Sequence, residues 1–204
     1  MKTTRLGILI SGRGSNMQAI AEAVRDGRIP NASIAVVLSD KSAAAGLVTA
    51  RDLGLTTSVV ARRGRAREDH DAETVSMLRY HEVDFVCLAG YMRVLSSQFL
   101  EAFPRRILNI HPSLLPAFPG MNAQLQAIEH GVKYTGCTVH FVDETLDGGP
   151  IIAQKIVPLL DDDTEETLSA RILEDEHKLY PEALDFVVNG TYEVVGRRVL
   201  GSRN

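Results

Sequence analysis

The sequence has few cysteines and little excess charge of either sign. Its only cysteines, Cys87 and Cys137, lie far apart in apolar stretches, which favours reduced structural thiols over a disulfide framework or a zinc site. Thiols of this kind are typical of the cytoplasm, where we expect the protein to reside. The 22 basic and 26 acidic residues give a net charge of -4, so we expect no nucleic-acid or membrane partner.

Long apolar runs are also missing from the sequence. No window reaches the ~18 consecutive apolar residues that a membrane span requires, and glycine interrupts the first apolar run too early for a signal peptide. With 45% hydrophobic residues, the chain is long enough to bury its own core. No repeat, low-complexity tract or linker divides it, so we predict one domain over residues 1–204.

The first 110 residues alternate strand-like and helix-like segments. Short runs rich in β-branched residues predict strands at 5–11, 33–39, 57–60 and 85–88, and helical periodicity predicts helices at 17–26, 43–53 and 71–81. Strict alternation requires crossover connections, which produce a parallel sheet. The predicted fold class is therefore α/β, a Rossmann-like, open, mostly parallel twisted sheet with helices on both faces.

The pattern changes after Ile110. A loop rich in proline and glycine precedes a predicted helix at 124–130, and strands at 138–142 and 151–157 flank an Asp-Gly-Gly turn. These two strands indicate either a hairpin or a loop folded over the sheet edge. A long helix is predicted at 164–189, kinked or broken just before Pro181, followed by a final hairpin at 191–200.

The first candidate motif is the glycine-rich turn SGRGSN, which joins the first strand to the first helix. Its backbone N–H groups and the helix N-terminus would point at one anion, although a tight turn with a capped helix explains the pattern as well. A dinucleotide fingerprint requires a third glycine where Met17 stands, even though Asp40 ends the second strand as a ribose-binding acid would. A single terminal phosphate fits better.

The second candidate motif follows a buried strand. Asn109 and His111 are two residues apart, which places them on one face at the carboxyl end of that strand, where open α/β sheets bind ligands. A neutral and a chargeable donor together suit the stabilisation of an oxyanion. The other histidines with no such setting are interpreted as surface or packing residues: His70, His81, His130 and His140.

The third candidate is the loop DETLDGGP. An Asp-Gly-Gly sequence is a simple turn in most proteins, but Asp147 beside His111 would fix the ring tautomer and favour the imidazolium. The sequence offers no serine or cysteine nucleophile with an obvious elbow and no metal-ligand cluster. These features indicate direct attack of one bound substrate on another, without a metal.

Five blocks, in this order and spacing, resemble the phosphoribosylglycinamide formyltransferase family: ISGRGSNMQAI, LAGYMRVLS, NIHPSLLPAFPG, GCTVHFVDETLDGGPII and EDEHKLYPEAL. The resemblance covers essentially the whole chain. It implies a formyltransferase of purine biosynthesis that moves the formyl group of 10-formyltetrahydrofolate to the amine of glycinamide ribonucleotide. It also implies small-molecule substrates and no metal. We expect either a monomer or a homodimer.

The resemblance assigns roles at matching positions. The catalytic residues would be Asn109, His111 and Asp147, with Asp147 keeping His111 charged and helping to relay a proton. The ribonucleotide would contact Gly14, Ser15, Asn16 and Glu176. The folate would contact Arg67, Met92, Arg93, Val94, Leu95, Asn109, Asp143, Glu144, Thr145, Leu146 and Asp147. Residues up to about 108 would hold the ribonucleotide phosphate, and those from about 109 would carry the catalytic loop and folate site.

Two stretches remain open. Arg67 belongs to the loop RRGRARED, which is explained equally well as a solvated basic loop or as an attractor for folate carboxylates. Ala117, Asn122 and Gln124 replace basic or histidine residues found in some family members. The contacts of residues 117–124 are therefore left unassigned.

Several alternatives to this function remain. A formyltetrahydrofolate deformylase would use the same Asn, His and Asp to transfer the formyl group to water, but carries an extra region before the first strand. Methionyl-tRNA and sugar formyltransferases share the catalytic block, and the former need an added tRNA-binding domain. A non-catalytic nucleotide-binding or NAD-dependent module is disfavoured by Met17 and by the coincidence of three catalytic-type residues.

Overall fold

The computed structural model describes residues 3–62 and 64–202. It contains two compact units, Met1–Leu108 and Asn109–Asn204. The expected functions of the two halves of the chain, and the expectation of a single domain, stay predictions.

The first unit alternates strands and helices as predicted. Its elements are β1 (Thr4–Ile10), α1 (Ser15–Arg25), β2 (Ala32–Ser39), α2 (Ala45–Asp52), β3 (Thr57–Val59), α3 (Arg67–Tyr80), β4 (Phe85–Leu88) and α4 (Ser97–Ala102). The strands lie in the order β3-β2-β1-β4, and every pairing among them is parallel. The predicted parallel α/β arrangement is confirmed here, while the short helix α4 was not predicted.

The central strand β1 explains this arrangement. Its last residues are buried continuously, as expected for a strand covered on both faces. Gly7 lies where α3 and the following turn approach the strand, since a Cβ there would stand 2.6 Å from Leu78 Cδ2 and 3.0 Å from Val83. The carboxyl end of β1 leads directly into the glycine-rich turn and α1.

The second unit is built around an antiparallel hairpin. The strand β5 (Ile107–His111) crosses the boundary at residue 108 and is followed by α5 (Ala123–Glu129), β6 (Tyr134–Phe141), β7 (Ile151–Pro158), α6 (Glu165–Asn189), β8 (Thr191–Val195) and β9 (Arg198–Ser202). Strands β6 and β7 pair antiparallel, so the hairpin is the correct one of the two predicted alternatives. The C-terminal hairpin is also confirmed, since β8 and β9 pair antiparallel.

The long helix α6 has a well-defined start. Thr164 caps the helix and forms a capping box with Thr167. Asp163, the preceding residue, accepts hydrogen bonds from both Nη groups of Arg171, each at 2.7 Å. The side-chain hydrogen bond from Arg171 holds the pKa of Asp163 well below its usual range. Asp163 therefore anchors the first turns of the helix.

Of the two predicted alternatives at Pro181, the break is wrong, because α6 continues through the proline to Asn189, while the kink stays a prediction. Proline removes one backbone hydrogen bond within a helix. Here Tyr180, Pro181 and Leu184 are all buried, and the packing of this face outweighs that loss.

The two glycines after Asp147 are required for space rather than for an unusual φ. Asp147 itself has a positive φ of 49°, whereas a Cβ at Gly149 would overlap the carbonyl oxygen of Phe141.

We expect Gly149→Ala to lower the free energy of unfolding by about 2 kcal/mol, in the range for overpacking. Gly12→Ala is the control, since a Cβ at Gly12 would meet no atom within 4 Å and its φ is not positive. Urea denaturation of both variants measures the difference, and equal stabilities would contradict the prediction.

Candidate active site

Four polar side chains of the second unit lie together at the carboxyl end of β5. Asn109 and His111 belong to β5, His140 belongs to β6, and Asp147 lies in the loop after β6. Asp147 Oδ2 is 3.5 Å from His111 Nδ1, and Asp147 Oδ1 is 3.8 Å from His140 Nε2. The structure therefore brings together the three residues predicted to be catalytic, and adds a fourth.

Both ring nitrogens of His111 face oxygen acceptors. Nδ1 faces the Asp147 carboxylate, and Nε2 lies 2.9 Å from the carbonyl oxygen of Phe118. The ring is shielded, with its side chain 7% exposed. An imidazolium can donate to both acceptors at once, whereas a neutral ring can donate to only one.

The loop after β5 contacts this cluster through its backbone. The carbonyl of Phe118 lies against His111, and the N–H of Gly120 donates to Asp147 Oδ2 at 2.8 Å. Ser113 supports the loop by donating its hydroxyl to the carbonyl of Ala117. Because these contacts use backbone atoms, they do not depend on which side chains stand at 117, 122 and 124.

The sequence predicts a surface or packing role for His140; the structure buries the ring and adds hydrogen bonds within the cluster that the sequence did not predict. The ring is buried, its Nδ1 lies 2.9 Å from the Phe141 carbonyl, and its Nε2 lies 3.2 Å from Asn109 Nδ2. The carbonyl can only accept, so Nδ1 carries the proton and Nε2 accepts from the Asn109 amide. One signal for His140 was present in the sequence: a histidine inside an apolar strand that leads directly into the DETLDGG loop.

This assignment fixes the direction of the Asn109 amide. One of its two N–H groups donates to His140, which leaves the second available to another acceptor. Burial lowers the pKa of His140, an effect larger than the opposing ones of the Phe141 carbonyl and Asp147. The neutral ring that Asn109 requires is thus the favoured form.

The lowered pKa of His140 predicts a pH-dependent stability. As the pH falls below the ordinary histidine pKa of 6.5, His140 takes up a proton in the unfolded chain but not yet in the folded chain. Protonation therefore favours the unfolded state, so the free energy of unfolding is highest above pH 6.5 and declines as the pH falls toward the lower folded pKa. We expect His140→Gln to reduce this decline between pH 7.5 and 5, as measured by urea denaturation. His130→Gln, at an exposed position, is the control. An unchanged pH slope in His140→Gln would refute the prediction.

The predicted phosphate turn lies in the first unit. Gly14 is the N-cap of α1 with a left-handed φ of 77°, and a Cβ there would stand 2.8 Å from Gly46 Cα, so both conformation and space require glycine. No side chain caps α1 and no acidic residue lies in its first turn. Ser15 and Asn16 are the first residues of the helix itself rather than its cap. This N-terminus suits an anion.

The expected folate-contacting run lies in an irregular segment of the first unit. Met92 and Val94 are 66% and 60% exposed, and Leu95 is buried. Arg93 is half-buried. The segment therefore presents apolar side chains outward, as a ligand-binding surface would.

The basic loop before α3 is largely neutralised. Arg62 lies 3.4 Å from Asp40, Arg65 pairs with Glu73, and Arg67 at the start of α3 donates to Glu68. Arg63 lies outside the described residues. These pairings do not support a freely attractive basic patch, although Arg67 is exposed and able to exchange partners.

The remaining predicted contacts lie in the second unit. Asp143, Glu144, Thr145 and Leu146 belong to the loop before Asp147, where Asp143 Oδ1 accepts the N–H of Thr145. Glu176 is buried on α6. The structure does not test the roles of these residues, so they stay predictions.

Two further findings concern residues 3–62 and 64–202 only. Within these ranges, no three His, Cys, Asp or Glu side chains are grouped so that they could hold a metal ion. No helix there is both long enough and apolar enough to cross a membrane.

Known proteins resemble this chain over most of its length. Residues 4–184 match the family model described as formyl transferase. The phosphoribosylglycinamide formyltransferase of Escherichia coli (strain K12) is 41% identical over 90% of this chain and 86% of its own length. The trifunctional purine biosynthetic protein adenosine-3 of Drosophila melanogaster is 48% identical over 92% of this chain, which spans only 14% of that relative's length. Glycinamide ribonucleotide transformylase 1 from Symbiobacterium toebii, a crystal structure, superposes with a TM-score of 0.94 at 52% identity, over 97% of this chain and 93% of that one.

The α/β fold and this family match define the class of protein. The chain belongs to the formyl transferase family. Relatives that match it over most of both lengths are named phosphoribosylglycinamide formyltransferase or glycinamide ribonucleotide transformylase. The family resemblance and the fold class predicted from the sequence are thereby confirmed.

Proposed function

We propose that this protein transfers the formyl group of 10-formyltetrahydrofolate to the amine of glycinamide ribonucleotide, a step of purine biosynthesis. The observation that carries this proposal is the cluster of Asn109, His111, His140 and Asp147, within a chain of the formyl transferase family. The cluster supplies oriented donors and a carboxylate beside a shielded imidazole ring, but no nucleophile of its own. It therefore suits direct transfer between two bound substrates.

The reaction forms one C–N bond and breaks another. The amine nitrogen attacks the formyl carbon, and the carbonyl oxygen becomes an oxyanion. The second N–H of Asn109 donates to this oxygen, since the first is held by His140. His111 is the second donor to the oxyanion. In the structure its two ring nitrogens face Asp147 and the carbonyl of Phe118, so one of these two contacts must be replaced by the contact with the oxyanion.

Collapse of the intermediate requires movement of one proton. The attacking nitrogen must lose a proton, and N10 of the departing folate must gain one. Asp147, next to His111, is placed to assist this transfer and to stabilise the positive charge on the ring. No other group is consumed, so the bonds and protons balance.

Binding of the two substrates is assigned by the same proposal. The ribonucleotide phosphate lies at the α1 N-terminus, on the backbone N–H groups of Gly14, Ser15 and Asn16, with Glu176 at the ribose. The folate lies along residues 92–95, with the loop 143–147 and Arg67 providing further contacts. Oligomeric state and cytoplasmic location also remain predictions.

The test is a folate absorbance assay on purified protein with 10-formyltetrahydrofolate, with and without glycinamide ribonucleotide. Turnover that requires the ribonucleotide and yields its formylated product is the expected result. Equal turnover without the ribonucleotide would identify a hydrolase that gives the formyl group to water. Nucleotide binding without any turnover of formyl folate would indicate a non-catalytic module.

A further inference from the structure

The irregular segment 91–96 is held at each end by a buried side chain of the first unit. At its start, the N–H of Met92 donates to the hydroxyl oxygen of Ser11, at 3.0 Å, just after β1. At its end, the N–H of Ser96 donates to Asp71 Oδ2, at 2.7 Å, on α3. Ser11 is 4% exposed and Asp71 is fully buried, so water competes little for either bond.

Between these two anchors, the backbone is available to a ligand. The N–H groups of Arg93, Val94 and Leu95 have no hydrogen-bond partner among the residues that the structure describes. Met92 and Val94 are exposed on the same stretch. A fixed backbone with unpaired donors beside apolar side chains suits a flat ligand whose edge carries hydrogen-bond acceptors.

The anchor at Asp71 is itself held in place. Its other oxygen, Oδ1, lies 3.4 Å from His70 Nδ1, while His70 Nε2 donates to the carbonyl of Val60 at 2.8 Å. Thr74 on the next turn of α3 donates to the carbonyl of His70. Ser96 in turn caps α4 through its hydroxyl, which accepts the N–H of Phe99. The carboxylate thus connects α3 to the start of α4 through a buried network.

We propose that Ser11 and Asp71 are positioning residues that fix residues 92–95 in the form that binds the folate donor. This inference rests on the proposed function, which assigns 92–95 to the folate. Neither residue is expected to touch the reacting atoms. Their loss should weaken folate binding, because the segment would then have to be ordered on binding.

Three variants test this proposal. Ser11→Ala removes the acceptor for Met92, and Asp71→Leu removes the acceptor for Ser96. Asp71→Asn keeps one oxygen for the Ser96 N–H, and its amide can donate to His70 Nδ1. We expect Ser11→Ala and Asp71→Leu each to raise the folate KM, and the dissociation constant of unreactive folic acid, about tenfold, or ~1.4 kcal/mol. Asp71→Asn should stay near wild type, and kcat and the ribonucleotide KM should change less than twofold in all three.

Matched controls separate positioning from general destabilisation. The control for Asp71 is Asp84, whose carboxylate accepts the backbone N–H of Arg5 at 2.9 Å near the start of β1. The control for Ser11 is Ser39, whose hydroxyl closes a local turn with the backbone of Lys41. Asp84→Ala and Ser39→Ala should leave the folate KM unchanged even where they lower stability.

The outcomes distinguish this inference from the proposed function. A folate KM within twofold of wild type in Ser11→Ala would overturn the inference even if Asp71→Leu fails to fold, and so would an equal rise in the controls. If wild-type protein shows no turnover that requires formyl folate and the ribonucleotide, the proposed function fails instead. In that case, unchanged folic acid binding by the variants would overturn the positioning role as well.

Discussion

Asn109→Ala is expected to lower kcat by about 10²–10³, the range for loss of one oxyanion-hole donor. The amide of Asn109 has one N–H on His140 Nε2, and its second N–H is the one we assign to the oxyanion. Both KM values should change much less than kcat, because this bond strengthens only as charge develops on the formyl oxygen. Steady-state kinetics with both substrates varied measures the effect.

Two further variants sharpen this test. Asn109→Asp keeps the shape of the side chain but has no N–H to donate, so it should lose at least as much activity as the alanine variant. Asn189→Ala removes an amide that donates to Asp185 near the end of α6, and should leave kcat unchanged. A loss below threefold in Asn109→Ala would mean that the residue only packs.

Much of the architecture could be predicted because its causes are local. The strands of the first unit are apolar almost throughout, which predicts burial on both faces. Their alternation with helices requires parallel pairing. The pair Asn109 and His111 could be predicted for the same reason, since the period of two along β5 places them on one face. Their meeting with Asp147 could be stated from the residues only as a hypothesis, because Asp147 lies 36 positions after His111 in sequence and no local pattern brings the two together.

Other features depend on tertiary contacts and could not be predicted from local patterns. The role of His140 depends on which residue of β5 it faces, and no local pattern specifies that. Helix α6 continues through Pro181 because its buried face compensates for the lost hydrogen bond. The arginines before and at the start of α3 resemble a free basic loop in sequence, but their carboxylate partners lie on α3 and directly after β2.

Asp147→Asn is expected to lower kcat by about 10²–10⁴, the range for general acid–base assistance. The substitution is chosen to remove charge and little else. Asparagine tolerates the positive φ of 49° at this position, and its amide oxygen can still accept the N–H of Gly120. What is lost is the negative charge 3.5 Å from His111 Nδ1, which stabilises the protonated ring as the proton moves.

Asp147→Ala separates the charge from the loop contact. It also frees the N–H of Gly120, so it should match the asparagine variant in kcat and in addition lower the free energy of unfolding, because the loop 117–120 loses an anchor. Asp161→Asn, at an exposed carboxylate paired with Lys133, is the control and should behave as wild type. If Asp147→Asn retained more than a third of the wild-type kcat while Asp147→Ala did not, the carboxylate would serve to hold the loop rather than to stabilise His111. The geometry favours stabilisation of His111, because Asp147 is the acidic side chain that lies within 4 Å of both His111 and His140 in the described part of the chain.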